Sequence, residues 1–340
     1  MPMPGYDADV LIAGGGPAGL AAAIHARAQG LSVIIAEPRD SPIDKACGEG
    51  LMPGGLAELA ALGVDPVGVP FHGIAYDDGR HRAEARFRRG PGRGVRRTIL
   101  HAALAQQAKQ ADAEWISTKV GTVRQDPGGV RAASVRARYL IGADGLHSAV
   151  RRSAGVPVTV GAPRRVGLRR HYRVAPWSEF VEVHWSPMGE AYVTPVEPDL
   201  VGVAILSRHR HDLSWFPWLQ HRLAGVSAGP ERGCGPLRQV VSRRVCGRVL
   251  LVGDAAGYED ALTGEGISLA VRQARAAIGA IVADRPEDYE ADWRRITRRY
   301  RLMTRGLVLA TGPAVARRSL VPACAAVPSV FRRAVDMLAG

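Results

Sequence analysis

Asp9–Glu37 reads DVLIAGGGPAGLAAAIHARAQGLSVIIAE, and this stretch decides the fold. A short apolar run, Val10-Leu11-Ile12-Ala13, meets Gly14-x-Gly16-x-x-Gly19; an alanine-rich segment with helical spacing follows, and a second apolar run, Val33 to Ala36, ends on Glu37. The order is strand, turn, helix, strand. Gly14 suits a tight turn, Gly16 lets the backbone approach a pyrophosphate closely, and Gly19 lets the helix pack hard on the strand. The helix opening at Pro17 and Ala18 presents unpaired N–H groups and the positive end of its dipole to phosphate. Glu37 follows Gly19 at the distance where an acidic side chain accepts hydrogen bonds from an adenosine ribose. Glycine clusters also build ordinary turns, but the elements on both sides make this one an expected dinucleotide site.

Outward from this unit, the 340-residue length suggests two domains or one large α/β domain with an insertion, and 46% hydrophobic residues suggest a folded core. No run of eighteen apolar residues occurs, so no spanning helix is expected; MPMPGYDADV lacks the pattern of a secretory signal. Cys47, Cys234, Cys246 and Cys324 are widely spaced with no CxxC, which predicts no metal site, no disulfide framework and a cytoplasmic setting. The formal charge of +13 is almost wholly arginine, since Lys45, Lys109 and Lys119 are the only lysines. Arginine pairs such as Arg88/Arg89, Arg96/Arg97 and Arg298/Arg299 are scattered rather than gathered in a tract, so no nucleic-acid partner is expected. A solvated basic surface, an anionic substrate and peripheral contact with an anionic membrane are the remaining readings of the charge.

Along the chain, a loop (Ser41 to Gly55) follows the nucleotide unit. Val69 to Tyr76 and His81 to Arg88 alternate as an antiparallel pair joined through Asp77-Asp78-Gly79. Helical periodicity covers Arg97 to Gln110, and Tyr139-Leu140-Ile141 runs into a Gly-Ala-Asp-Gly turn. Arg169 to Val174, Phe180 to Trp185, Glu190 to Val196 and Leu200 to Leu206 read as an antiparallel sheet, closed by a helix over Leu213 to Leu223. Val249 to Val252 is a buried strand, a long helix runs from Thr263, and the tail from Tyr289 is helical with breaks at Gly312-Pro313, Pro322 and Pro328. The fold class expected is α/β: a discontinuous Rossmann-like domain (1–68, 97–163 and 235–285), an inserted antiparallel substrate domain (69–96 and 164–234) and a helical C-terminal segment (286–340).

Four separated motifs then agree. They are the GGGPAG unit; Arg97-x-x-Leu100-x-x-x-Leu104; Gly142-Ala143-Asp144-Gly145-x-x-Ser148-x-x-Arg151; and Gly253-Asp254-Ala255-Ala256 followed by Gly264-x-Gly266. In this order they resemble the flavoprotein superfamily of class A (p-hydroxybenzoate hydroxylase-like) flavin monooxygenases and geranylgeranyl reductases. The resemblance spans about Asp9 to Ala280 and implies a glutathione-reductase-type FAD-binding fold. It also implies FAD as cofactor, NADH or NADPH as a transient reductant, and cofactor contacts from Gly14, Gly16, Pro17, Ala18, Gly19, Glu37, Cys47, Gly48, Arg97, Val120, Asp144, Asp254, Gly264, Gly266 and Ile267. The glycine-flanked turn Leu262 to Gly266 feeds a helix, so its N–H donors and positive dipole end suit the negative charge of a reduced flavin.

The chain departs from the hydroxylase pattern at Ala261 and Gly257, where proline and histidine are usual. Its Lys45-x-Cys47-Gly48-Glu49-Gly50-Leu51 loop is similar to one that prenyl reductases place over the flavin. Cys47 is read either as a thiol beside the flavin polarised by Lys45 or as a small buried residue that fits. Glu49, Met52, His171, His184, Tyr192 and Leu262 are candidates for the substrate pocket; for those in the sheet, periodicity does not choose the face. No catalytic acid or base is assigned.

The motif set favours a monooxygenase of secondary metabolism that uses NAD(P)H and oxygen to hydroxylate an aromatic or polyketide-like molecule through a C4a-hydroperoxyflavin. The Cys47 loop and GDAAGYEDALTGEG favour the alternative, reduction of isoprenoid double bonds. A third reading is a non-catalytic flavin-binding protein resting on a membrane through Leu307, Val308, Leu309, Val315 and Leu320. The oligomeric state is left open.

Overall fold

In the computed structural model, which describes residues 5–208 and 212–339, the opening unit forms strand Ala8–Ala13, helix Pro17–Ala28 and strand Val33–Ala36. Pro17 sits in the first helical turn, where its missing N–H would have no intrahelical partner. Ala21, Ala22 and Ala23 are fully buried, and their small side chains let the helix lie close to the sheet. Ala8–Ala13 pairs in parallel with Val33–Ala36 on one side and Val135–Gly142 on the other. Glu114–Ile116 and Val249–Leu251 extend this parallel sheet outward. Its central strands are covered on both faces, so they are continuous apolar runs rather than alternating ones. Helices Arg97–Gln110 and Gly266–Val282 pack beside Pro17–Ala28.

A second sheet has the order Arg232–Cys234, Val166–Tyr172, Leu200–Ser207, Gly189–Glu197, Val181–Ser186, Gly73–Asp77, Arg82–Arg86. All its pairings are antiparallel except Val181–Ser186 with Gly73–Asp77, which joins the early hairpin to the five later strands. That hairpin turns through Asp78, whose Oδ1 accepts the amides of Arg80 and His81 at 2.9 and 2.7 Å. A three-stranded patch, Gly50–Leu51, Gly92–Gly94 and Val69–Phe71, anchors the loop after Cys47. Gly94 is obligatory there, because a Cβ would fall 1.7 Å from the Pro195 carbonyl oxygen.

Three expected boundaries move. The long helix begins at Gly266 rather than Thr263, because Gly264 adopts φ +70° and the preceding residues form a turn. The segment from Leu213 divides into a short 3-10 turn, Leu213–Trp215, and helix Pro217–Arg222; Phe216 precedes a proline and takes a non-helical conformation. The tail forms Asp288–Ala310, Ala314–Ala326 and Pro328–Ala339, with Pro322 inside the second helix rather than ending it. Leu320, Val321 and Cys324 hold that helix on the second sheet, where Val321, Phe331 and Val335 share an apolar cluster with Phe71, Ile74, Val183 and Trp185. Among the described residues no helix is long and apolar enough to cross a membrane.

Candidate cofactor and active site

The glycine turn has the steric logic its spacing implies. Gly14 lies at φ +104° with a would-be Cβ 2.6 Å from Ala143 O, and a Cβ on Gly19 would sit 1.9 Å from Gly14 O. A Cβ on Gly16 would meet nothing within 4 Å, so the face at the start of Pro17–Ala28 is open, as the approach of a pyrophosphate needs. Pro17 and Ala18 are buried behind it. Glu37 is buried at the end of its strand; Oε2 accepts from Gly15 N at 2.9 Å, and Arg39 pairs with the carboxylate at 2.8 Å. Burial raises this carboxyl, and the Arg39 and Gly15 hydrogen bonds outweigh it and hold it below its ordinary value. The Arg39 side chain on this carboxylate is 58% exposed.

Arg97 opens its helix in a buried position, and its Nε has no hydrogen-bond partner among the described residues. Burial pushes its guanidinium down, while the Cys47 thiol, Asp254 and Asp44 act in the opposite direction. An unpartnered buried guanidinium beside an open glycine turn is what an anionic pyrophosphate would satisfy. One turn on, His101 contacts Gly15 O at 2.9 Å through Nε2 and Ser41 Oγ through Nδ1, a brace that sequence reasoning missed despite the i, i+4 spacing from Arg97. Val120 is buried in the core of this domain.

Asp144 works as a cap: Oδ2 accepts from Ala149 N and Val150 N at 2.7 and 3.0 Å. Arg151 then reaches Ala255 O at 3.0 Å and Gln239 Oε1 at 3.0 Å, tying the third motif to the fourth. Asp254 meets Lys45 Nζ at 2.9 Å. Burial raises the Asp254 carboxyl, but the Lys45 charge prevails and keeps it low. Of the two readings of Cys47, polarisation by Lys45 finds no contact, since the lysine pairs with Asp254, and the buried small residue is what the structure has. Burial pushes the Cys47 thiol up, and its sulfur accepts from Glu49 N at 3.4 Å. Gly48 leaves open space where a Cβ would be, and Thr194 holds its carbonyl at 2.9 Å.

Glu49 was expected in the substrate pocket. It is instead buried at φ +60°, with Oε1 accepting from Arg97 N at 2.9 Å and Oε2 facing His171 Nε2 at 2.7 Å. Both oxygens are used, so Glu49 joins the loop, the arginine helix and the second sheet. His171 is consumed by the same contact and by Arg169 at 3.0 Å. His184 lies on the wrong face: Tyr192 pairs with Val183, so the alternate residues Glu182 and His184 project to the far side. There His184 stacks on Trp218 and meets Glu182 at 3.2 Å. Burial raises Glu182, but hydrogen bonds from His184 and Trp177 and the Arg82 charge outweigh it and hold the carboxyl at about 2.

Tyr192 does face the nucleotide domain, donating to Leu262 O at 3.1 Å beside the Gly264 turn. Met52, Tyr192 and Leu262 belong to the apolar cluster under the C-terminal helices. A small cleft of about 10 Å³ opens at this edge, lined by Leu51, Met52, Gly264, Glu265, Ile267 and Leu338 among others. Behind it lies a buried ionic group that sequence reasoning did not find, Arg165 between Glu190 and Asp260.

An open glycine turn, an unpartnered buried arginine and a braced Asp254 on a parallel sheet define a dinucleotide-binding flavoprotein fold. The chain belongs to the FAD binding domain family, whose sequence profile matches residues 7–184. It is 28% identical over 325 residues to a menaquinone reductase of Mycolicibacterium smegmatis, spanning 84% of this chain and 79% of that protein. It is 25% identical over 324 residues to digeranylgeranylglycerophospholipid reductase 2 of Methanosphaera stadtmanae, spanning 83% and 80%. A solved triple mutant of the flavin-dependent brominase Bmp2 shares the fold with a TM-score of 0.78 at 19% identity, covering 98% of this chain and 94% of that one. The superfamily resemblance carried by the four motifs and the α/β fold class both hold. The chain is of the FAD-dependent oxidoreductase type.

Proposed function

We propose that the protein reduces carbon–carbon double bonds in an isoprenoid chain, with NADH or NADPH as the electron source. FAD, when bound, supplies two-electron hydride chemistry. Residues Gly16, Arg97 and Asp254 would hold it through its phosphates and hydroxyls. Saturating one double bond consumes one hydride and one proton, so the chain must present a proton donor at an apolar surface.

Glu265 carries this reading. It lines the cleft with Leu51, Met52, Ile267 and Leu338, and its Oε2 is buried with no hydrogen-bond partner among the described residues. Burial raises its carboxyl, against a smaller lowering by Arg299 and Thr263. The shift is toward the proton-bearing form, suited to giving a proton to an alkene rather than taking one from a phenol. The other candidate bases are engaged elsewhere: His171 with Glu49, His184 on the far face, Tyr192 with Leu262 O. The similarity to two reductases named for prenylated quinone and lipid substrates, over most of the chain, supports the same reading.

Hydroxylation, which the motif set favours, is the competing reading. The deciding experiment incubates the FAD-loaded protein anaerobically with NADPH and a geranylgeranyl lipid. A product gaining two hydrogens per double bond supports reduction. An oxygen requirement, with a transient absorbing species when the reduced protein meets oxygen and an oxygenated product, overturns it.

A further inference from the structure

Half of the large, exposed apolar side chains of the described residues lie between 302 and 337: Leu302, Leu309, Val315, Val327, Val330 and Met337, from 43% to 74% exposed. They recur at helical spacing. Leu302 and Leu309 are two turns apart on Asp288–Ala310, and Val330 and Met337 are two turns apart on Pro328–Ala339. Met188 joins them from the tip of a sheet hairpin, because Arg317 donates to the neighbouring Pro187 O at 2.9 Å and holds that tip to helix Ala314–Ala326.

Cations are threaded through the apolar positions. Arg318 follows Val315 by three residues, and Arg333 lies between Val330 and Met337 with Arg332 beside it. Among the described residues none of these three arginines has a carboxylate within ion-pair distance. The only acidic residue on the last two helices, Asp336, is already paired with Arg88 at 2.9 Å. The exposed side of these last two helices is therefore apolar, basic and without free negative charge, the complement of an anionic bilayer.

The same helix reaches the cleft. On Pro328–Ala339, Phe331 and Val335 point into the core, Leu338 and Ala339 line the cleft beside Met52, Gly264 and Glu265, and Val330, Arg333 and Met337 face solvent. We infer that the C-terminal helices dock on an anionic lipid surface, with helix Pro328–Ala339 holding the mouth of the Met52–Gly264 cleft at the bilayer. That a lipid substrate enters there rests on the proposed reductase activity; the docking itself does not.

Flotation of the full-length, FAD-loaded protein tests it, using phosphatidylcholine vesicles with and without about one-third phosphatidylglycerol. The protein floats with the anionic vesicles and not with the neutral ones, and loses them at about 0.5 M salt, where screening lengths shrink to a few ångströms. Arg318→Glu/Arg332→Glu/Arg333→Glu weakens binding by about a hundredfold or more, on the order of fivefold per cation lost. Val315→Asp/Val330→Asp abolishes it, while melting and FAD content stay unchanged in both variants. Protein that stays soluble with every vesicle, variants that float like the parent, or a dimer broken by the same substitutions without any vesicle binding, overturns the docking. Turnover separates the two ideas. Protein that floats but reduces neither a short soluble isoprenoid alcohol nor a bilayer-embedded one keeps the docking and sinks the reductase reading. If both hold, the variants lose activity only on the embedded substrate.

Discussion

The Glu49 carboxylate and the His171 imidazole meet at 2.7 Å across 122 residues of sequence, and both side chains are buried. Through the other oxygen of Glu49 the contact extends to the first amide of helix Arg97–Gln110, whose own N-cap residue supplies no side-chain hydrogen bond. The loop around Cys47, the helix that carries Arg97 and the second sheet are thus fixed by one side chain.

Glu49→Ala should therefore destabilise the fold by about 3 to 5 kcal/mol, the range for breaking a buried charged contact. It leaves His171 and the helix amide without their acceptor. Glu49→Gln keeps one acceptor oxygen and should lose less. Denaturant unfolding compares the two, and FAD titration of Glu49→Gln should show weaker binding through the loosened loop. An unchanged unfolding midpoint in Glu49→Ala contradicts the clamp.

Two glycines of one turn should fail differently. Gly19→Ala forces a Cβ against Gly14 O at 1.9 Å, so it should prevent stable folding. Gly16→Ala meets nothing in the protein, so the apoprotein should melt as the parent does, while FAD affinity falls by at least about tenfold because the methyl occupies the phosphate approach. Melting of the apoproteins and flavin fluorescence titration check both; equal FAD affinity in Gly16→Ala would falsify the placement.

If Glu265 supplies the proton, Glu265→Gln should lower kcat by about a hundredfold or more with little change in FAD binding. Tyr192→Phe removes only the bond to Leu262 O, worth about 1 kcal/mol, and should keep turnover within several-fold. The reverse ranking in steady-state kinetics would transfer the acid role to Tyr192.

Burial, with Arg275 adding to it, depresses His25 from 6.5 to about 4. Below 6.5 the unfolded chain takes up a proton that the folded one refuses, so stability is lost as pH falls through this window and is unaffected above it. Between about pH 7 and pH 5 the loss from this group should be about 2 kcal/mol. A His25→Asn variant should show a shallower fall in unfolding free energy over the same interval. Parallel curves for the two proteins would count against it.

The nucleotide half was legible because its demands are local. Gly14, Gly16 and Gly19 answer to backbone geometry within a few residues, and the apolar runs around them are buried on both faces. Glu49 and Lys45 were not legible: each lies in a loop without periodicity, and their partners His171 and Asp254 come from distant elements. The face taken by His184 was not legible for another reason. Every residue of Val181–Ser186 is buried, so the pattern of burial that normally tells inner from outer face is absent from that strand. Glu265 sat inside a turn already read for its glycines, and its place on the cleft emerges only when Leu338 arrives from the end of the chain.

That fully buried strand gives the protein two separately adjustable walls. Val181, Val183 and Trp185 meet the apolar cluster of the C-terminal helices, while Glu182 and His184 meet Arg82, Trp177 and Trp218. Parity alone therefore sorts a mutant library: odd-numbered positions repack the seat of the C-terminal helices, and even-numbered ones alter the charged contacts of the opposite side.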